Sequence, residues 1–277
     1  MSRDRITKVA EDYYDSGDAD AFYFHVWGGE DIHIGIYETP SSPIAESSAK
    51  SSVAVAERLG ISPSDHVLDL GSGFGGAARW MAKTFGCKVT CLNLSKVQNQ
   101  RNRELCEAQG LAEKVEIIHG AFEELPFADA RFDHAWSQDA FLHSGQKRKV
   151  LSEALRVLKP GGHLAFTDPM QADEVPSGVL EDVLARIHLD HLGSFALYEK
   201  LAAEVGFELA GTIRLTEHLP THYARVGDVL REKRGELEGT VVSTEYLDRM
   251  LAGLGHWVEA GRAGHLAWGI IDLRKPG

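Results

Sequence analysis

The 277-residue chain is 43% hydrophobic and 25% charged, with 29 Lys and Arg against 41 Asp and Glu for a formal charge of −12. These figures exclude a disordered chain, a collagen-like repeat and a disulfide scaffold, and the acidic balance argues against a nucleic acid partner, which would demand a basic face. Apolar runs fall short of the roughly 20 residues a membrane helix needs, the first residues carry no apolar leader core, and three cysteines suit a reducing compartment, so a cytoplasmic protein that keeps off membranes is expected.

Residues 1 to about 60 open with an aromatic cluster, Tyr13, Tyr14, Phe22, Tyr23, Phe24 and Trp27, before Gly28-Gly29, and read as a helical lid. From Ser64 to about Asp168, short apolar runs alternate with longer helix-like segments. His66 to Leu70 is the first strand, Gly71 to Gly76 a turn, and a helix follows to about Phe85. Val89 to Leu92 is the second strand, after which Ser95 is placed to cap a polar helix ending at Gly110. Val115 to Ile118, Phe132 to Trp136 and Leu164 to Thr167 are the third, fourth and fifth strands. A helix over Lys147 to Leu158 precedes the fifth and stops at Lys159-Pro160-Gly161-Gly162. This alternation implies an α/β, doubly wound, mostly parallel sheet with right-handed crossovers. Residues 169 to about 264 read as a mostly helical inserted cap with one strand at Leu209 to Leu215, and His265 to Leu273 reads as a final strand. The expected division is a lid over 1–60, a core over 61–168, and the cap with the last strands over 169–277.

The turn after the first strand is dense in glycine, which allows a sharp bend and close approach to a ligand. Gly71, Gly73 and Gly76 satisfy G-x-G-x-x-G, the dinucleotide spacing. Asp69, however, stands two residues before the first glycine. A carboxylate so close would repel a pyrophosphate but could hold an ammonium or sulfonium, which favours S-adenosylmethionine over NAD.

The chain here resembles the class I S-adenosylmethionine-dependent methyltransferases, which have a Rossmann-like sheet. Gly120 to Phe127 looks like the family's adenine-side loop, and Glu153 to Gly162 like the helix and turn before its fifth strand. The resemblance implies that Asp69, Gly71 and Gly73 line the methionine end of the cofactor, Asn93 and Leu94 the ribose and adenine, and that Ala121, Phe122 and Gln138 complete these contacts. Trp27, Ile34 and Gln98 join the implied cofactor set. Asn93 stands where the family usually has an acid; an amide can still donate to and accept from a diol.

The segments Asp12 to Ser16, Phe22 to Tyr37, Trp136 to Gly145, Phe166 to Gln171, Leu184 to Asp190 and Tyr246 to Met250 closely resemble the bacterial and cyanobacterial sarcosine/dimethylglycine N-methyltransferases. That likeness, over nearly the whole chain, implies methylation of sarcosine and dimethylglycine to the osmolyte glycine betaine, with S-adenosylhomocysteine as by-product. A protonated substrate amine must lose its proton, its carboxylate calls for a bidentate Arg, and its methylated ammonium suits aromatic faces. Related phosphoethanolamine methyltransferases pair a Tyr near the N-terminus with a His after the fourth strand, which makes Tyr14 and His143 the candidate bases. Arg186 matches an anion-binding Arg of the same relatives, with Arg225 as rival. Tyr23, Tyr223, Met170 and Gln171 complete the implied substrate set, and Trp27 and Trp268 are candidate walls.

Other acceptors stay open: phosphoethanolamine, though Pro169 stands where those relatives carry Tyr, or a sterol or tocopherol, for which so polar a chain is ill suited. A non-catalytic S-adenosylmethionine-binding regulator is the alternative of another class. His188 with His191, and His218 with His222, lack the Cys or carboxylate partners of a zinc site, so no metal is expected. Cys87 and Cys91 read as core thiols.

Overall fold

The computed structural model describes residues 17–187 and 189–277. Its centre is a seven-stranded sheet of order β3-β2-β1-β4-β5-β9-β7. The strands are β1 (His66–Leu70), β2 (Lys88–Asn93), β3 (Val115–His119), β4 (Phe132–Gln138), β5 (Leu158–Thr167), β7 (Glu208–Arg214) and β9 (Gly269–Arg274). The first five are parallel, and β9 runs antiparallel between β5 and β7. A mostly parallel, doubly wound sheet is therefore correct. Central strands covered on both faces read as continuous apolar runs, and Val67, Leu68 and Leu70 of β1 are fully buried.

Helices α1 (Gly17–Phe22), continued by a π turn at Tyr23–Trp27, and α2 (Ile44–Leu59) precede the sheet. Within the alternation lie α3 (Gly76–Phe85), α4 (Lys96–Ala108) and α5 (Lys147–Val157). Ser95 caps α4 as expected, its side chain accepting from the Gln98 N–H at 3.1 Å. Beyond β5 come α6 (Glu181–Arg186), α7 (Phe195–Val205), α8 (His218–Leu237) and α9 (Thr244–Arg262). Phe22 and Trp27 share one apolar cluster with Tyr223 of α8 and Trp257 of α9, so the aromatic N-terminal segment and the late helices bury each other. No helix among the described residues is long and apolar enough to cross a membrane.

Two local expectations change. Lys159-Pro160-Gly161-Gly162 is not a free turn before a short strand but an irregular start to β5, with the register against β4 shifting between Phe132 and His134. The chain end closes this irregularity: Gly161 N–H donates to Lys275 O at 3.0 Å and Lys275 N–H to Gly162 O at 2.8 Å. The expected single tail strand is split into β8 (Leu266–Ala267) and β9, with β8 pairing β6 (Met170–Gln171) in a separate ladder. Trp268 makes the break, its indole N–H turned to Asp139 Oδ1 at 2.8 Å.

Candidate active site

Strand order reverses between β1 and β4, and in open α/β sheets ligands bind beyond the carboxyl ends of strands at such a point. The loops leaving β1 and β4 meet there. Gly71 N–H donates to Leu92 O at 2.8 Å, which folds the glycine turn over the end of β2. Gly71 has φ +81°, and a Cβ built on it would collide with the Ala140 Cβ. Backbone conformation and the β4 loop thus both demand glycine.

Three recesses share walls. The largest, about 640 Å³, is lined by Gly71, Gly73, Asn93, Leu94, Gln98, Phe122, Gln138, Asp139 and His143. A second of about 320 Å³ continues from Gly71, Gly73 and Gln138 to Asp69, Glu30, Asp31 and His33. A third of about 430 Å³ is lined by Tyr23, Trp27, Ile34, Leu142, Pro169, Arg186, Tyr223 and Trp257, and it shares Asp139 and His143 with the first. Ile32 lines all three.

The second recess is acidic. Burial, reinforced by Asp31, pushes the Asp69 carboxyl up to about 8, because an ionised carboxylate is costly away from water. Gln138 is held there by α2: its amide donates to Ser51 Oγ at 3.1 Å and its carbonyl accepts from Ser52 Oγ at 3.2 Å. In the first recess the Asn93 amide donates to Gln98 Oε1 at 2.9 Å. That leaves the Asn93 carbonyl and the Gln98 amide as groups suited to a diol.

At the junction of the first and third recesses stand Asp139 and His143. Asp139, with φ +52°, accepts from Ile34 N–H at 2.6 Å, Thr167 Oγ1 at 2.8 Å and Trp268 Nε1 at 2.8 Å; burial still raises its carboxyl above the usual range. It is a rigid post joining the N-terminal segment, β5 and the tail. His143 ends a 3₁₀ turn, Phe141–His143. The buried Asp168 accepts from Leu142 N–H at 2.8 Å and Tyr198 Oη at 2.6 Å, and the buried Lys147 ammonium donates to Ser144 O at 2.8 Å, so the turn is clamped from below. Burial first, then the Lys147 and Arg186 cations, lower His143 to about 4. The imidazole is therefore neutral across the physiological range.

The third recess is walled by aromatic rings around one cation. The Arg186 guanidinium carbon lies 5.8 Å from the Trp27 ring centroid and 5.9 Å from that of Tyr223. Tyr223 in turn stacks on Trp257, with centroids 4.7 Å apart and planes 29° from parallel.

Several residues singled out from the sequence lie elsewhere. Met170 is fully buried in the core and paired with Ala267 in the β6–β8 ladder; the wall position belongs to Pro169. Gln171 spends its backbone N–H on Gly193 O at 2.9 Å and lines none of the three recesses. Arg225 pairs with Glu232 on the same helix at 3.2 Å and lines none of the three recesses. Trp27 and Ile34 face the third recess rather than the glycine-turn cleft, Ala121 is not among the lining residues of the cleft though its neighbour Phe122 is, and Trp268 bonds Asp139 without lining any of the three recesses. His218 and His222 bond Tyr37, through its backbone N–H at 3.2 Å and its hydroxyl at 2.8 Å. Tyr14 and His188 lie outside the described residues. Sequence reasoning missed Asp139, Asp168 and Lys147; the two aspartates stand directly after β4 and β5, a signal that strand ends alone could have supplied.

With this geometry in place, comparison with known proteins is informative. The methyltransferase domain family matches residues 68–166. The chain is 52% identical to a sarcosine/dimethylglycine N-methyltransferase from Aphanothece halophytica over 99% of both chains. It is 48% identical to a dimethylglycine N-methyltransferase from Parasynechococcus marenigrum over 97% of this chain and 96% of that one. A crystal structure of a proposed sarcosine dimethylglycine methyltransferase from Galdieria sulphuraria superposes with a TM-score of 0.88 at 43% identity, covering 94% of this chain and 98% of that one.

Proposed function

This chain belongs to the sarcosine/dimethylglycine N-methyltransferases, and from that premise we propose how its own residues carry out the methylation. The enzyme transfers methyl groups from S-adenosylmethionine to the nitrogen of sarcosine and dimethylglycine, giving glycine betaine. The residues present fit the cofactor: a glycine turn that a Cβ would fill lies beside a buried carboxyl, Asp69, suited to a cationic amino-acid end. Asp69, Gly71, Gly73 and Gln138 would hold that end, and Asn93, Leu94, Gln98 and Phe122 the nucleoside. When bound, S-adenosylmethionine supplies a methyl group carried on a sulfonium.

The third recess takes the amino acid. Arg186 receives the substrate carboxylate, for which its planar fork is matched. Trp27, Tyr223 and Trp257 offer ring faces that tolerate a methylated ammonium. His143, shared by both recesses and neutral, borders the substrate nitrogen, which attacks as the free amine once its proton has left to water, and keeps the lone pair on the cofactor side. Asp139 and the clamp on the 3₁₀ turn keep His143 in register. Alignment of this sort can supply much of the rate.

We divide the chain into a lid (1–60), a core (61–168) and a cap with closing strands (169–277). Each contributes a wall of the substrate recess: Tyr23 and Trp27, Asp139 and His143, and Arg186, Tyr223 and Trp257. The net charge of −12 supports small-molecule partners over nucleic acid, and the three buried free thiols support a cytoplasmic setting.

One observation carries the substrate assignment: a single cation and a neutral imidazole face the same aromatic recess, which shares Ile32, Asp139 and His143 with the glycine-turn cleft. Methyl transfer to glycine, sarcosine, dimethylglycine and phosphoethanolamine in parallel tests it. Turnover of sarcosine and dimethylglycine is expected; turnover of phosphoethanolamine alone would overturn the reading.

A further inference from the structure

A glycine in the interior of a helix is intrinsically worse than alanine, and one physical use for it there is to let another group approach closely. Gly253 is such a case. It is buried midway along α9, and its φ is not in the left-handed region, so its backbone does not ask for glycine. A Cβ built there would have as its three nearest atoms the Cδ, Nε and Cγ of Arg186, with Nε at 3.0 Å and Cγ at 3.1 Å and Cδ closer still. The bare helix surface at Gly253 is a groove filled by the arginine stem.

We propose that Gly253 is a positioning residue for substrate recognition: its missing side chain is the slot that fixes the Arg186 stem and so sets where the guanidinium meets the substrate carboxylate. The inference rests on the reading of Arg186 as the carboxylate anchor. The groove is continuous with the site, because Trp257, one turn further along the same face of α9, lines the recess and stacks on Tyr223. On its other side Arg186 lies against the Trp27 and Tyr223 rings. A methyl at position 253 therefore displaces the stem across the recess by a distance on the order of an ångström. A misplacement of that size can cost about 100-fold in catalysis. The fold has little reason to suffer, because a flexible stem gives way before a helix does. Gly255, on the same helix, has nothing within 4 Å of a built Cβ and provides a matched control.

The test compares Gly253→Ala, Gly255→Ala, Arg186→Leu and the double variant Gly253→Ala/Arg186→Leu in the full chain. The readouts are KM and kcat for dimethylglycine, the Kd of S-adenosylhomocysteine and Tm. Gly253→Ala is expected to raise KM by about 10- to 100-fold, to move kcat less than KM, and to leave Kd and Tm at wild-type values, while Gly255→Ala matches wild type throughout. In the Arg186→Leu background, Gly253→Ala should add nothing. A KM within about threefold of wild type in Gly253→Ala, alongside a raised KM in Arg186→Leu, would overturn the slot and spare the anchor. The same multiplicative rise in both backgrounds, or a Gly253→Ala protein that does not fold, would also overturn it. An unchanged KM in Arg186→Leu would overturn the anchor reading and this inference with it.

Discussion

Replacing His143 by Ala, and following kcat/KM for dimethylglycine against pH, decides where the substrate proton goes. The structure supplies the magnitudes. His143 is held at about 4 by burial, Lys147 and Arg186, whereas an aliphatic amine titrates at roughly 10. Passing the proton from ammonium to imidazole therefore runs uphill by about six units, or about 8 kcal/mol at about 1.4 kcal/mol per unit. Releasing the same proton to water at pH 8 costs about two units, or about 3 kcal/mol. A substrate carboxylate on Arg186 relieves part of the repulsion on His143, but that cation is the smallest of the three causes. Relief there cannot close a gap of about six units, so the route through water wins by about 5 kcal/mol.

With cofactor saturating and dimethylglycine well below KM, log(kcat/KM) is then expected to rise with unit slope from about pH 6 to about 8.5, following the free amine alone. A second titration near 6.5, which an unperturbed histidine would add, should be absent because His143 is already neutral there. His143→Ala should keep the slope and lose about 10- to 100-fold through lost orientation. The refuting result is a wild-type profile that is flat over this range and becomes a unit-slope rise in the variant. That pattern would mean the enzyme–substrate complex keeps its proton through the reaction, on His143, with a contribution nearer the about 10²–10⁴-fold of a positioned base.

Arg186→Leu should raise the KM for dimethylglycine by about one to three orders of magnitude, at about 1.4 kcal/mol per decade, with Lys restoring only part because the fork is lost. Arg225→Leu should leave that KM near wild type; steady-state kinetics in which the two exchange behaviour would identify the wrong arginine. Gly71→Val should abolish S-adenosylhomocysteine binding in calorimetry, since it forces a β-branched residue to φ +81° and drives its Cβ into Ala140; an unchanged Kd would refute the placement. Asp69, raised to about 8, is mostly protonated at pH 7 in the free protein, and a cation bound beside it favours the ionised form. Cofactor binding should thus release a proton at pH 7 and tighten from about pH 6 to about 8, and titration in two buffers of different ionisation heat that finds no proton release would contradict this.

What the sequence disclosed was whatever is local along the chain. Strands β1 and β2 and the glycine turn are each written in consecutive residues, as an apolar run buried on both faces or a run of small residues at a bend. The Pro-Gly-Gly at 160–162 misled because the same residues serve a turn or a strand irregularity, and Lys275, more than 100 positions away, decides which. The pairing of β6 with β8 was invisible because two-residue strands carry no periodicity. Met170 lies one position off the recess wall: Pro169 lines the recess and Met170 is buried in the core, a flip that follows from side chains alternating faces in extended chain. The recess itself draws on residues from Tyr23 to Trp257, so only a resemblance carried along the whole chain could assemble it.

The charges of the site also form one arrangement rather than separate contacts. The buried carboxyl of Asp69, with Asp31 nearby, lies in the recess assigned to the cofactor, and the cations Arg186 and Lys147 both act on His143 in the recess assigned to the substrate. A cofactor with a cationic tail and a substrate with an anionic one can both enter only if the site is polarised in this sense. Arg186, the proposed carboxylate anchor, is also one of the causes that keep His143 neutral, so the two residues are coupled through space. On the proposed placement, a substrate that fills the recess brings its carboxylate to Arg186 and its nitrogen to His143 together. That placement matches the spacing between the two groups, and an amine without a carboxylate would enter with the Arg186 repulsion still in force.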